Sequence, residues 1–240
     1  MGRFFLVCFF CCFAGVLHAD DWNERFEEFF ISYLIPRDHP LRGWLDSVFC
    51  SFDVLNSEET LRGAGFQILS SVPLHPAVLR HPQAPGYVFK LYFNGEKKKP
   101  RDGILGVEWL LRRCVEADKL RRWIQKHKIR HFIVPEKWLY PLSHGERHPA
   151  VLVAVDMELE SYEMNIQAWK TLVSQEHLDE LYLILKEGYG SIYLTGNIPY
   201  TKRGKFAFVD TEKPKQKHDL TKVKPYLSEK MQKYWDELIR

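Results

Sequence analysis

Cysteine is scarce in this sequence, with five in 240 residues, and three of them (Cys8, Cys11 and Cys12) fall near the start. Only Cys50 and Cys114 remain further along, which excludes a disulfide-dense scaffold and leaves one bridge or two thiols. Cys114 falls on the apolar face of an expected helix, a setting that suits a buried thiol. Net charge is also small: Lys and Arg total 34 against 31 Asp and Glu, a formal +3. That balance is no nucleic-acid signature. The chain has no HExxH and no GxSxG, which removes the commonest zinc-hydrolase and serine-hydrolase patterns. His144 and His148 have the residue types of a metal pair, but they sit between Pro141 and Pro149. A pair at i and i+4 needs a helix, and that segment reads as a loop. His75 and His81 each precede a proline and read as loop structure, and Lys97 to Lys99 as a solvated turn.

One long apolar run is present, from Phe4 to Leu17, with Arg3 before it and Ala19 after it. A charged start, a short apolar core and a small exit residue describe a cleavable secretory signal over residues 1–19. A permanent span needs about 20 apolar residues, so this run is short for an anchor, and no other stretch qualifies. The expectation is export, to a periplasm or the exterior, with no stable membrane span once the signal is removed. The chain beyond the signal suits one large domain or two small lobes.

Periodicity divides the rest. Trp22 to Ile35, Leu41 to Cys50 and a segment from Ser57 to Gly63 or Gly65 read as a helical preface over residues 20–63. Residues 64–155 change texture. Phe66 to Val72 and Tyr87 to Phe93 are expected strands, separated by a His- and Pro-rich loop from Pro73 to Gly86. Gly95 to Gly103 is a basic loop and Ile104 to His127 a long helix; His131 to Val134 and Ala150 to Met157 are further strands. Residues 156–240 are mainly helical, with helices at Glu163 to Val173 and Gln175 to Glu187. A hairpin turns at Lys202 to Lys205, a lysine-rich linker spans Lys213 to Lys224, and a last amphipathic helix covers Tyr226 to Ile239. Strands around a helix, then helices with a late hairpin, give an α+β, two-lobed arrangement with a crevice between the lobes.

The segment from Gly196 to Glu212 stands out. Asn197 follows a glycine at the start of the hairpin, and Asp210 ends its apolar return strand, Phe206 to Val209. This resembles the catalytic-loop and metal-loop pair of the protein-kinase-like fold, particularly its aminoglycoside-phosphotransferase branch. The resemblance covers roughly residues 64–212. It implies a two-lobed kinase-like fold with a helical N-terminal preface and a short C-lobe, and it implies Mg and ATP as ligands. Magnesium prefers oxygen ligands, which the resemblance assigns to Asn197 and Asp210. Lys90, in the middle of a strand, matches the family's phosphate-pairing lysine. Glu108, with Glu116 as the alternative, matches the helix carboxylate that partners it, and the strand running into Glu158 matches the inter-lobe hinge.

The departures concern catalysis. No GxGxxG precedes Lys90. The family's catalytic Asp falls on Ile192 and its nearby His on Leu194, neither of which can accept a proton. The triplet at the metal loop is Asp210-Thr211-Glu212. Lys90 also reads as an ordinary strand lysine, Asn197 as half of a turn pair, and Asp210 as a strand cap. Three functions are consistent with this pattern. The first is an exported pseudokinase that binds Mg-nucleotide or a protein partner in the cleft. The second is an active phosphotransferase with a displaced base, from Asp156, Glu158 or Glu212. The third is a secreted binding or structural protein.

Overall fold

A computed structural model describes residues 26–93, 104–142 and 149–240. The expected signal, Trp22, the basic loop with Lys97 to Lys99, and the His144/His148 segment lie outside those residues. The chain is α+β, with one five-stranded antiparallel sheet and a predominantly helical second half.

Helix α1 is Phe26–Ser32. It stops short of the expected Ile35 because the backbone finds another partner. Ile35 N–H donates to the Leu139 carbonyl and Leu139 N–H to the Tyr33 carbonyl, each at 2.8 Å. Helix α2 is Arg42–Val48, and α3 is Glu58–Gly63. A capping box fixes the start of α3, with the Ser57 hydroxyl accepting from Thr60 N–H and the Thr60 hydroxyl accepting from Ser57 N–H. This preface shares a core with the sheet. Leu45, Phe49 and Leu61 pack with Phe66, Leu79, Phe89 and Val153.

The sheet contains β1 (Gln67–Ser70), β2 (Ala77–Arg80), β3 (Tyr87–Leu91), β5 (Lys137–Pro141) and β6 (Ala150–Val155). Their spatial order is β1-β2-β3-β6-β5. Two of these strands depart from the sequence reading. β2 occupies the centre of the expected His- and Pro-rich loop. Pro73, Pro76, Pro82 and Pro85 all fall outside it, so each ladder N–H is retained. Within β2, Ala77 and Leu79 are buried and the alternate residues are half-buried, which is the period of a sheet face. β5 is masked in the sequence by its ends, a lysine and a proline, yet it pairs along its whole length with β6.

Between β3 and β5 runs α4 (Gly106–Lys126), which crosses the second face of the sheet. Its first half, with Leu110, Leu111 and Cys114, packs on Leu139 and Leu152. Its second half, with Ala117, Leu120 and Ile124, belongs to a different core. That core is built from α5 (Tyr162–Thr171), α6 (Gln175–Lys186), the short α7 (Leu194–Asn197), a 3-10 turn (Leu220–Tyr226) and α8 (Glu229–Leu238). Trp169, Leu181, Phe206, Phe208 and Trp235 fill it. A small parallel pair, β4 (Phe132–Ile133) with β7 (Phe206–Ala207), completes it. The late hairpin forms as expected, with Thr201 N–H donating to the Lys205 carbonyl at 2.9 Å and Gly204 at φ +75°. α4 is thus the element common to both halves. Among the described residues no helix is long and apolar enough to cross a membrane.

Leu79 tests the unexpected strand. It is fully buried against the preface helices. Leu79→Ala is expected to lower stability by about 2–5 kcal/mol, as core truncations of this kind do, read by urea denaturation. A loss below about 0.5 kcal/mol, typical of surface sites, would place residues 77–80 outside the core.

Candidate functional site

Strand alternation fixes where the site lies. Phe89 and Leu91 face the preface core, so Lys90 between them faces α4. On β5, Trp138 and Tyr140 face the preface, while Lys137 and Leu139 face α4. Two lysines thus point into the same interior as Arg113, which sits on α4 where the helix passes from one core to the other. The segment after β7 runs under all three and supplies Asp210, Thr211 and Glu212.

Arg113 is 2% exposed. Its Nε donates to Asp210 Oδ1 at 3.0 Å, its Nη2 bonds the Glu212 carboxylate, and its Nη1 donates to the Trp109 carbonyl at 3.3 Å. Lys90 Nζ lies 3.9 Å from the same Asp210 Oδ1. Lys137 Nζ donates to the Val209 carbonyl at 3.1 Å and to Thr211 Oγ1 at 2.8 Å, and the Thr211 hydroxyl donates to the Arg113 carbonyl at 2.9 Å. Two lysines and an arginine therefore surround two carboxylates.

The ionisation equilibria reflect that packing. Burial pushes the Asp210 carboxyl up, but Lys90, Arg113 and Lys137 together hold it well below the usual carboxylate range. Burial lowers Lys90 despite the attraction of Asp210. Lys137 is pulled down to about 7, by burial first and then by the neighbouring charge of Lys90. Burial pushes the Cys114 thiol up to about 12, so it is an inert core thiol. Cys50 is exposed and both cysteines are free; they form no bridge.

Asp210 and Asn197 both line a cleft of about 660 Å³. Val209 N–H donates to the Asn197 carbonyl at 3.1 Å, which ties the two ends of the hairpin together. The cleft is walled by Glu116 and Leu120 of α4, by Tyr189 to Tyr193, and by the loop from Thr211 to Asp219. Lys90 lies behind Asp210 and is not part of this wall.

The structure thus brings together Lys90, Asn197 and Asp210, and it leaves Glu108 elsewhere. Glu108 forms an ion pair at 2.7 Å with Arg112 on its own helix, and Glu116 forms one at 2.7 Å with Lys119. The α4 residue that meets the Lys90–Asp210 pair is Arg113, of opposite charge to the carboxylate expected there. Of the three candidate displaced bases, Asp156 is bound by Arg80 at 2.7 Å and Glu158 by Arg203 at 2.9 Å. Glu212 alone reaches the cleft wall, and Arg113 holds it. Ile192 lines the cleft and Leu194 is fully buried.

Sequence reading missed Arg113, Lys137 and Thr211. A signal existed for the first two. Arg113 lies four residues from both Trp109 and Ala117 on the buried stripe of α4, and Lys137 shares a face of β5 with the core residue Leu139. A charge on a core-facing position needs a partner, and here the partners come from distant sequence.

The two residues that the resemblance assigns to magnesium each have one polar group already engaged. The Asp210 oxygen nearest the cations already accepts from a guanidinium, and Asn197 Nδ2 donates to Ser191 Oγ at 2.9 Å. Among the described residues no group of three or more His, Cys, Asp or Glu side chains is placed to hold a metal ion. An ion bound by Asn197 and Asp210 would bring two further positive charges beside Arg113 and Lys90.

Comparison with known proteins identifies no relative by sequence: no protein family and no curated protein matches the chain. Among solved structures there is a likeness to the crystal structure of WbdD, at 15% identity and a TM-score of 0.32. It covers 72% of this chain and 37% of that one. A superposition that loose assigns nothing, and the chemistry of the site rests on its own geometry.

Lys137 makes stability depend on pH. Above pH 7 the folded protein holds it neutral, while the unfolded chain keeps it protonated up to about 10.5. The unfolded state then binds more protons, so stability rises with pH across that window. Between pH 7 and 9 its contribution is roughly 2 kcal/mol, and Lys137→Met is expected to remove that share of the rise. Denaturant midpoints at the two pH values check it. An equal rise in both proteins would mean that Lys137 is charged in the fold.

Proposed function

We propose that this chain is an exported, kinase-like protein that binds a phosphate-bearing ligand in the cleft beside Asp210 and transfers no phosphoryl group. The observation that carries the reading is the combination at one site. Lys90 and Asp210 are paired across the two halves, with Asn197 tied to the same segment, while Ile192 and Leu194 stand where the resemblance places a proton acceptor. Phosphoryl transfer relies on positioning and charge stabilisation, but a group that orients the nucleophile is one of its recurring parts. Hydrocarbon side chains cannot do this.

The active alternative needs Glu212 as base, because Asp156 and Glu158 are engaged outside the cleft wall. The ion pair with the buried Arg113 guanidinium already engages the Glu212 carboxylate and disfavours that role. Export is part of the proposal and rests on residues 1–19. A secretory lumen, or delivery into another cell, would supply ligand at the destination. A protein partner in the same cleft is the reading that remains if no small ligand binds.

The test combines binding and turnover. ATP at 100 times its Kd is expected to stabilise the purified protein by about 2.7 kcal/mol in thermal unfolding. Terminally labelled ATP is expected to leave no label on the protein or on added acceptor proteins. Label transfer that disappears in Glu212→Gln would establish the phosphotransferase instead. Absence of any shift at millimolar ATP would assign the cleft to a protein partner.

A further inference from the structure

We propose that His177 is an acid-sensitive latch: as a neutral imidazole it closes the first turn of α6 and packs on His131 beside β4, and protonation opens that contact. None of the latch residues lines the cleft, so the device stands independently of whatever binds there.

Three elements meet at this point. α6 begins with a capping box whose third helical residue is His177, where glutamate or glutamine is the usual choice. His177 N–H donates to the Ser174 hydroxyl at 3.5 Å, and Ser174 N–H donates back to His177 Nδ1 at 3.4 Å. Nδ1 accepts that bond only while it carries no proton. From the β4 side, the centre of the His131 ring lies 4.0 Å from that of His177. Glu180 accepts from the Arg130 and His131 N–H groups, each at 2.9 Å, which fastens α6 to the residues entering β4. From β7, the uncharged ring of Phe206 stands perpendicular to His177 at 5.9 Å.

A positive charge on His177 meets three obstacles. It takes away the acceptor of Ser174 N–H. It sets a cation in the first turn of a helix, where the backbone dipole is itself positive. It also faces His131, so that full protonation places two cations side by side. The groups that favour the charge are Glu176 and Glu180 of the same helix, and both are shared. Glu180 lies 3.0 Å from His131 Nδ1, and Glu176 lies 3.8 Å from His131 Nε2 and 3.9 Å from Arg130. Burial first, and then the neighbouring His131, hold His177 below its ordinary value of 6.5. The unfolded chain therefore binds more protons than the fold as pH falls through 6.5, and stability is lost on acidification. That window lies below the one set by Lys137. Phe206, against which His177 rests, opens β7, and Asp210 follows four residues later, so the latch bears on the strand that delivers the aspartate of the site.

NMR titration of the purified protein reads the His177 ring directly, and amide hydrogen exchange reads the latch. His177 is expected to titrate below 6.5, and His131→Gln, which removes the facing imidazole, is expected to raise that value. The reporters of opening are Leu178 N–H, bonded to the Ser174 carbonyl at 3.2 Å, and His131 N–H, bonded to Glu180. Corrected for intrinsic rates, both are expected to exchange several-fold faster at pH 5.5 than at pH 7.5. His177→Gln keeps a capping side chain that does not titrate, and its rates are expected to be equal at the two pH values. Ser174→Ala is expected to open the Leu178 amide already at pH 7.5. A His177 that titrates at or above 6.5 overturns the proposal. So does exchange that fails to quicken in acid, or an acid response that persists unchanged in His177→Gln.

Discussion

The buried guanidinium of Arg113 is the constraint on which the rest of this structure depends. It lies where α4 leaves the sheet and enters the helical core, and it holds two carboxylates from a segment 97 and 99 residues further along the chain. Desolvating an arginine is costly, and removing one partner of such a pair typically loses about 3–5 kcal/mol. The fold recovers that cost only if both halves dock in one register. The Thr211 hydroxyl and Lys137 reinforce it from the side, bonding the same three-residue segment to the α4 backbone and to β5.

That constraint also shapes what the site can do. An aspartate at the end of an apolar strand, near an asparagine and a strand lysine, is the arrangement from which metal–nucleotide chemistry is expected. Here the aspartate is neutralised from within the protein. The lack of a proton acceptor at Ile192 and Leu194 and the consumption of Asp210 by Arg113 point the same way. Neither removes the cleft of about 660 Å³ beside Asp210.

Local patterns carried much of the architecture. YVFKL announced β3 through its β-branched and aromatic density, and the spacing of Trp109, Leu110, Val115 and Leu120 announced α4. β2 was illegible because four prolines crowd around it, and short strands are recognised partly by the absence of proline. β5 was illegible because it is short and its ends are a lysine and a proline. Both strands exist because neighbours in the sheet complete their hydrogen bonds, which no local window contains. The site was legible in part for the same reason. Lys90, Asn197 and Asp210 belong to segments with recognisable surroundings, and Asp210 pairs with Lys90 and shares the cleft with Asn197. The helix carboxylate was sought by spacing from Lys90, and spacing cannot show which turn of α4 faces Asp210. Rotation of the helix on its apolar stripe turns Arg113 inward and places Glu108 beside Arg112. The charge that defines the site is therefore a tertiary property.

The central claim is that Arg113 and Asp210 form one energetic unit. A double-mutant cycle measures it directly, using Arg113→Met, Asp210→Asn and the combination, with unfolding free energies from urea denaturation. The account predicts that the double variant is more stable than the sum of the single losses allows, by about 1–3 kcal/mol, as for residues in one ion-pair network. Additivity within about 0.5 kcal/mol, the behaviour of independent sites, would contradict it.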